Sequence, residues 1–219
     1  MQIEIFSDVV CPWCYIGKRR LDAVLASEAG AGVEVTWRPY QLYPQLPEEG
    51  VPRETFMRAR FGSDAEPGRI FQRVVEEART EGLELHFDRI QTTPNTFRAH
   101  RLLSWAELSG HQHELAEVLF SYYFRDGRDV GDPEELSAAA AEAGLDPEGA
   151  REMLRGHDEV DKVRAELSLA DAVGVTGVPF FVLGGKFAVP GAQSRETMAA
   201  LITRARERLS VEQAAGASG

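Results

Sequence analysis

Cys11-Pro12-Trp13-Cys14 holds the only two cysteines of this 219-residue chain. Two sulfurs separated by two residues can meet in a disulfide or share a redox role, so the pair is read first as a reactive dithiol. The run Ile3-Glu4-Ile5-Phe6 before it reads as a strand, Ser7 to Val10 as the turn that follows, and a helical pattern begins directly after Cys11. The first turn of a helix carries unpaired N–H groups and the positive end of the macrodipole, which favour an anion. A thiolate at Cys11 would be such an anion, and thiols in this setting are the reactive ones. Pro12 fits an early helical position that needs no N–H. Cys11 is therefore the expected attacking thiol. Cys14, one turn further in and less exposed, is the expected resolving thiol, and Trp13 is the expected optical reporter of their redox state.

Two other uses of such a pair are weaker. Tetrahedral zinc needs two more ligands, and there is no second cysteine pair. The five histidines lie at 86, 100, 111, 113 and 157, and His111-Gln112-His113 starts a helical stretch rather than flanking a knuckle. No metal is expected. A purely structural disulfide would close a very short loop.

The elements that must position the sulfurs follow from periodicity. Gly17, Leu21, Val24 and Leu25 recur at helical spacing behind Cys14, with Lys18, Arg19, Arg20 and Asp22 alongside. Gly17 on that stripe suggests close approach to a sheet. Ala29 to Gly32 ends the helix, and Val33 to Trp37 alternates as a second strand. From about Pro44 to His157 the chain reads as almost continuous helix: Pro52 to Arg60, a stretch through Ile70 and Ala78 stopped at Gly82, and a long helix opened by Thr93-Pro94 and closed by Gly110. Others are centred on Leu115 to Tyr122 and capped at Asp132-Pro133 and Asp146-Pro147. Leu83 to Phe87 is a strand-like interruption. A further helix runs from Val160 to Gly174. Pro179 to Leu183 and Lys186 to Val189 form a hairpin around Gly184-Gly185, and Ser194 caps a last helix to about Leu209. Residues 210–219 read as a disordered tail. The pattern is a βαβ half and an αββα half, interrupted by helices.

Composition limits the partners. Thirty-five acidic against 24 basic residues give a net charge of −11, which argues against nucleic acid or an anionic membrane. The N-terminus enters a strand without a signal-peptide pattern, and no apolar run is long enough to span a bilayer. The expected location is the cytoplasm, where a retained cysteine pair is more often catalytic than structural.

The order of elements, with the dithiol after the first strand, resembles the thioredoxin fold with a large all-helical insertion, as in DsbA-like oxidoreductases. Three segments, Ser7 to Gly17, Asn95 to His100 and Gly174 to Phe181, are similar to the FrnE-like branch, a relative of 2-hydroxychromene-2-carboxylate isomerases and kappa-class glutathione transferases. The resemblance implies an α/β chain with a thioredoxin-like domain at 1–48 and 158–209 and a helical insertion domain at 49–157. It also implies a protein disulfide oxidoreductase working by disulfide exchange or isomerisation. Spacing leaves Pro179 as either a trans proline starting a strand or a cis proline. The resemblance implies cis, facing the dithiol, with Val178 and Pro179 binding an extended substrate; Phe180 and Phe181 beside them either line an apolar substrate groove or pack in the core. The isomerase and transferase relatives use a single Ser or Cys to activate glutathione, whereas this chain keeps both cysteines.

Secondary candidates have two readings each. Glu4, the only charge in the first strand, is either a buried proton relay to Cys14 or a strand-end carboxylate reaching solvent. Asn95 and His100, on the long insertion helix, either line the cleft or belong to the core. Phe120, Tyr122, Tyr123 and Phe124 read as core, and His111 and His113 as surface. No organic cofactor is implied beyond the Cys11–Cys14 pair, with glutathione or another low-molecular-weight thiol as a conceivable co-substrate. The expected partners are protein or small-molecule thiols and disulfides. The alternative function is a thiol-dependent isomerase or transferase acting on a small aromatic or polyketide-like substrate.

Overall fold

The computed structural model describes residues 1–62 and 67–216. Four strands form one sheet: β1 (Gln2–Ser7), β2 (Glu34–Pro39), β5 (Phe180–Leu183) and β6 (Phe187–Pro190), in the order β2-β1-β5-β6. β1 and β2 run parallel with Ile5 beside Trp37, joined by α1 (Pro12–Leu25). β5 is antiparallel to β1, with Phe181 beside Ile5, and β6 is antiparallel to β5. This mixed sheet is the thioredoxin-like core expected from the sequence. The hairpin closes as its glycines require: Gly184 and Gly185 both take positive φ, and the Lys186 N–H donates to the Leu183 carbonyl.

Side-chain alternation gives the sheet two unlike faces. Ile3, Ile5, Phe181, Leu183 and Val189 turn towards α1 and the last helix, α9 (Arg195–Gly216), where Ile16, Leu21, Met198 and Ile202 complete a dry core. Gly17 belongs to that packing: a Cβ there would lie 3.1 Å from Pro179 Cγ and 3.4 Å from Phe181 Cζ. On the opposite face, α8 (Val160–Ala172) covers Phe6 and Phe180 through Ala170, with Val175 just beyond the helix.

Between β2 and β5 the chain is mainly helical. It forms α2 (Arg53–Phe61), α3 (Pro67–Thr80), α4 (Phe97–Glu107), α5 (Gln112–Ser121), a π-helical turn at Tyr122–Asp126, α6 (Pro133–Glu142) and α7 (Pro147–Arg155). Asp132 and Asp146 cap α6 and α7, each side chain accepting two backbone N–H bonds. The insertion is fastened to the edge of the sheet by Gln112. Its amide accepts the Trp37 N–H (2.7 Å) and donates to the Trp37 carbonyl (3.0 Å).

Three local expectations are corrected. Thr93 does not cap a helix: it pairs with Val51 in a two-stranded ribbon of β3 (Val51–Pro52) and β4 (Thr92–Thr93), so α4 starts only at Phe97. The cap comes from Asn95, whose Oδ1 accepts the Phe97 N–H. Leu83 to Phe87 finds no partner strand among the described residues. The last helix continues past Leu209 to Gly216, since Val211, Glu212 and Gln213 offer no breaker and Lys186 pairs with Glu212; residues 217–219 lie outside the described residues.

Candidate active site

Cys11 is the N-cap of α1 and Pro12 its first residue, so the sulfur of Cys11 stands at the positive end of the helix. No side chain caps this end. Backbone bonds hold the turn: the Cys11 N–H donates to the Asp8 carbonyl (2.9 Å), and the Cys14 and Tyr15 N–H groups donate to the Cys11 carbonyl. Both cysteines are free thiols and buried, and each lies within electrostatic reach of the other. Cys14 is the deeper, 1% exposed against 5% for Cys11. Burial pushes the Cys14 thiol well up, and the hydrogen bond and charge of Cys11 push it further, against opposing pulls from the Ser7 hydroxyl and an Asp8 backbone bond. Trp13 is half-buried beside them.

Opposite the pair, the Val178–Pro179 peptide bond is cis. Cys11 Sγ lies 3.6 Å from the Val178 carbonyl, to which its S–H donates. The Pro179 ring rests against Gly17 of α1. Cys11, Pro12, Trp13, Cys14, Val178 and Pro179 therefore form one constellation, built from residues more than 160 positions apart in sequence.

The remaining candidates are placed elsewhere. Phe180 packs edge-on against Phe6, ring centroids 6.3 Å apart, on the sheet face away from α1. Glu4 is also turned to that face and is only partly buried. Its carboxylate binds Arg38 (2.9 Å), which also reaches Glu166 (2.8 Å) and Glu107 (3.5 Å). Of the two readings of Glu4, this alternation favours the partly exposed carboxylate over the relay, since Ile3, Ile5 and Ser7 face the helix and Glu4 does not. Asn95 is a bridge before α4: besides capping it, the side chain takes a bond from Gln41 (2.8 Å) and gives one to the Leu46 carbonyl (2.7 Å). His100 is buried, its Nε2 2.9 Å from the Tyr40 carbonyl and 3.5 Å from Asp8 Oδ1. Both residues thus hold the 40–46 segment next to the dithiol. His113 is not a free surface residue: Nδ1 accepts from the Trp37 indole (3.2 Å) and Nε2 donates to Asp22 (2.7 Å).

Sequence reasoning passed over Asp8 and Lys18. Asp8 is fully buried one turn before Cys11, and its Oδ2 accepts the Leu42 N–H at 2.8 Å. A carboxylate between Ser7 and the valine pair was the available signal. Lys18, 3% exposed, sits between Asp22 (2.8 Å) and Glu117 (3.0 Å). Its place on the apolar stripe of α1 could have marked it. Phe120, Tyr122, Tyr123 and Phe124 are buried, as expected.

A four-stranded mixed sheet with a cysteine pair at the start of its first helix, faced by a cis proline, defines a thioredoxin-fold protein. The chain belongs to the family described as the DsbA-like thioredoxin domain, whose match spans residues 2–203. It is 27% identical over 201 residues to the Bacillus subtilis (strain 168) protein YwbO, covering 90% of this chain and 92% of that one. A probable DsbA oxidoreductase from Streptomyces coelicolor superposes with a TM-score of 0.85 at 37% identity, over 94% of this chain and 90% of that one. The cytosolic disulfide reductase DsbM from Pseudomonas aeruginosa shares the fold with a TM-score of 0.64 at 17% identity, over 97% and 98% of the two chains, and has also been solved with glutathione. Among the described residues, no helix is long and apolar enough to cross a membrane.

Proposed function

We propose that this chain is a cytoplasmic thiol–disulfide oxidoreductase that exchanges disulfides through Cys11 and Cys14. One observation carries the reading: two buried free thiols share the start of α1, within electrostatic reach of each other, and Cys11 faces the Val178 carbonyl. In the reducing direction the Cys11 thiolate attacks one sulfur of a disulfide, whose other sulfur leaves as a thiolate. The Cys14 thiol then loses its proton and attacks Cys11. The substrate's second sulfur departs, two electrons have moved to the substrate, and Cys11 and Cys14 are joined. Oxidation of a substrate dithiol is the reverse. The environment of Cys14 orders these steps. While Cys11 is charged, that charge holds the proton on Cys14; once Cys11 is tied up in a mixed disulfide the charge is gone and Cys14 ionises more readily. Val178 and Pro179 hold an extended substrate by its backbone. Protein or small-molecule disulfides are the substrates, and glutathione is a suitable co-substrate by analogy with the glutathione-bound neighbour.

A glutathione redox titration, read by Trp13 fluorescence and thiol trapping, tests the reading. The expected result is one reversible two-electron transition in the wild type, with Cys14→Ser accumulating a mixed disulfide at Cys11. No intramolecular disulfide at any poise, together with full turnover by Cys14→Ser, would replace it by thiol-dependent isomerisation of a small molecule.

A further inference from the structure

Beside Cys11 lies a small enclosed slot of about 70 Å³, which the exchange chemistry alone does not require. Val10 and Pro12, the two neighbours of Cys11, form one wall, and Tyr43, Phe56, Tyr123 and Phe124 form the others. Tyr43 stands within electrostatic reach of Arg60, Asp8, Arg53 and Cys11. The slot continues into an open cleft of about 810 Å³ on the insertion, and Arg53, Phe71 and Phe87 line both. A volume of that order suits a small molecule.

The cleft is lined by charges of both signs, Arg53 and Arg58 with Glu54 and Asp88. Arg58 in the cleft wall is paired with Glu54. Arg53 makes no ion pair with a described carboxylate. Its guanidinium lies 5.8 Å from the Phe56 ring and 5.6 Å from the Phe71 ring, with only a long 3.4 Å bond to Thr93 Oγ1. A half-buried guanidinium held by aromatic faces keeps donors free for a planar anion.

We infer that the slot and cleft bind small apolar, ring-bearing thiols and disulfides that carry a carboxylate, with Arg53 holding the carboxylate and the apolar part seated beside Cys11. The inference rests on the exchange reading and names the substrate class for that same site. The ring displaces water from the aromatic walls, and the carboxylate fixes which sulfur faces Cys11.

The test compares two aromatic disulfides reacting with the reduced protein by stopped flow: anionic 5,5′-dithiobis(2-nitrobenzoate) and neutral 4,4′-dithiodipyridine. Arg53→Gln is expected to slow the anionic disulfide about tenfold and the neutral one less than twofold, because one partly exposed charge-assisted contact is lost. Arg53→Lys, which keeps the charge without the fork, should recover part of the loss. Circular dichroism confirms that each variant is folded. Equal slowing of both disulfides, or of neither, would overturn the role of Arg53. If the wild type consumes neither disulfide, the exchange reading itself has failed, which is a separate result.

Discussion

The two faces of the sheet are made of opposite materials. Towards α1 and α9, Ile5, Phe181 and Leu183 meet Ile16, Leu21 and Ile202 with almost no polar atom between them. Towards α8, Arg38 gathers Glu4, Glu107 and Glu166 into a half-buried ion cluster next to the Phe6–Phe180 contact. The dithiol sits at the end of the dry face. Its geometry therefore depends on close packing, in which a methyl-sized error moves a neighbour. The charged face tolerates more, because its partners are long side chains partly open to water.

That contrast is sharpened or broken by substitution. The largest effect belongs to Phe181→Ala, which opens a cavity between β5, α1 and Pro179. A loss of about 3–5 kcal/mol is expected in urea unfolding, and a loss below about 1 kcal/mol would show that the dry face is not what holds the site. A smaller effect belongs to Glu166→Gln on the charged face. Burial raises the Glu166 carboxyl, Arg38 and Lys162 pull it down, and the net direction is up. The folded state therefore binds more protons than the unfolded state just above the ordinary carboxylate range, and this group costs stability as pH rises through that window. Glu166→Gln should flatten that part of the stability–pH curve, with a change at neutral pH within about 1 kcal/mol given the screening. A steeper curve in the variant would reverse the assignment. The smallest effect belongs to Glu4→Gln, which should leave the pH profile of Cys14-dependent exchange unchanged. A shifted profile would reconnect the charged face to the sulfurs.

What the sequence made legible was the part encoded locally. The Asp132 and Asp146 caps, the Gly184-Gly185 turn and the placement of Cys11 at a helix start depend on neighbours in the chain, and each is found as expected. Thr93 was misread because its competing partner, Val51, is 42 residues away and outweighs a local capping preference. Glu4 was left between two readings because a single charge in a short strand does not say which face it occupies; the pairing of Ile5 with Trp37 and Phe181 does. The dithiol was plain. The buried Asp8, the enclosed Lys18 and the Arg53 slot were not, since each is defined by elements that meet only in three dimensions.

The Gln112 amide has one more consequence. Strand β2 is an outer strand of the sheet, and an outer strand with bare N–H and C=O groups invites another chain to pair with it. At Trp37 a side chain takes the place such a chain would occupy, matching donor to acceptor and acceptor to donor. The helical insertion thus guards the sheet against self-association as well as standing over the sulfurs. A minimal core made by cutting the insertion away would keep both cysteines and uncover this edge to pairing with another chain.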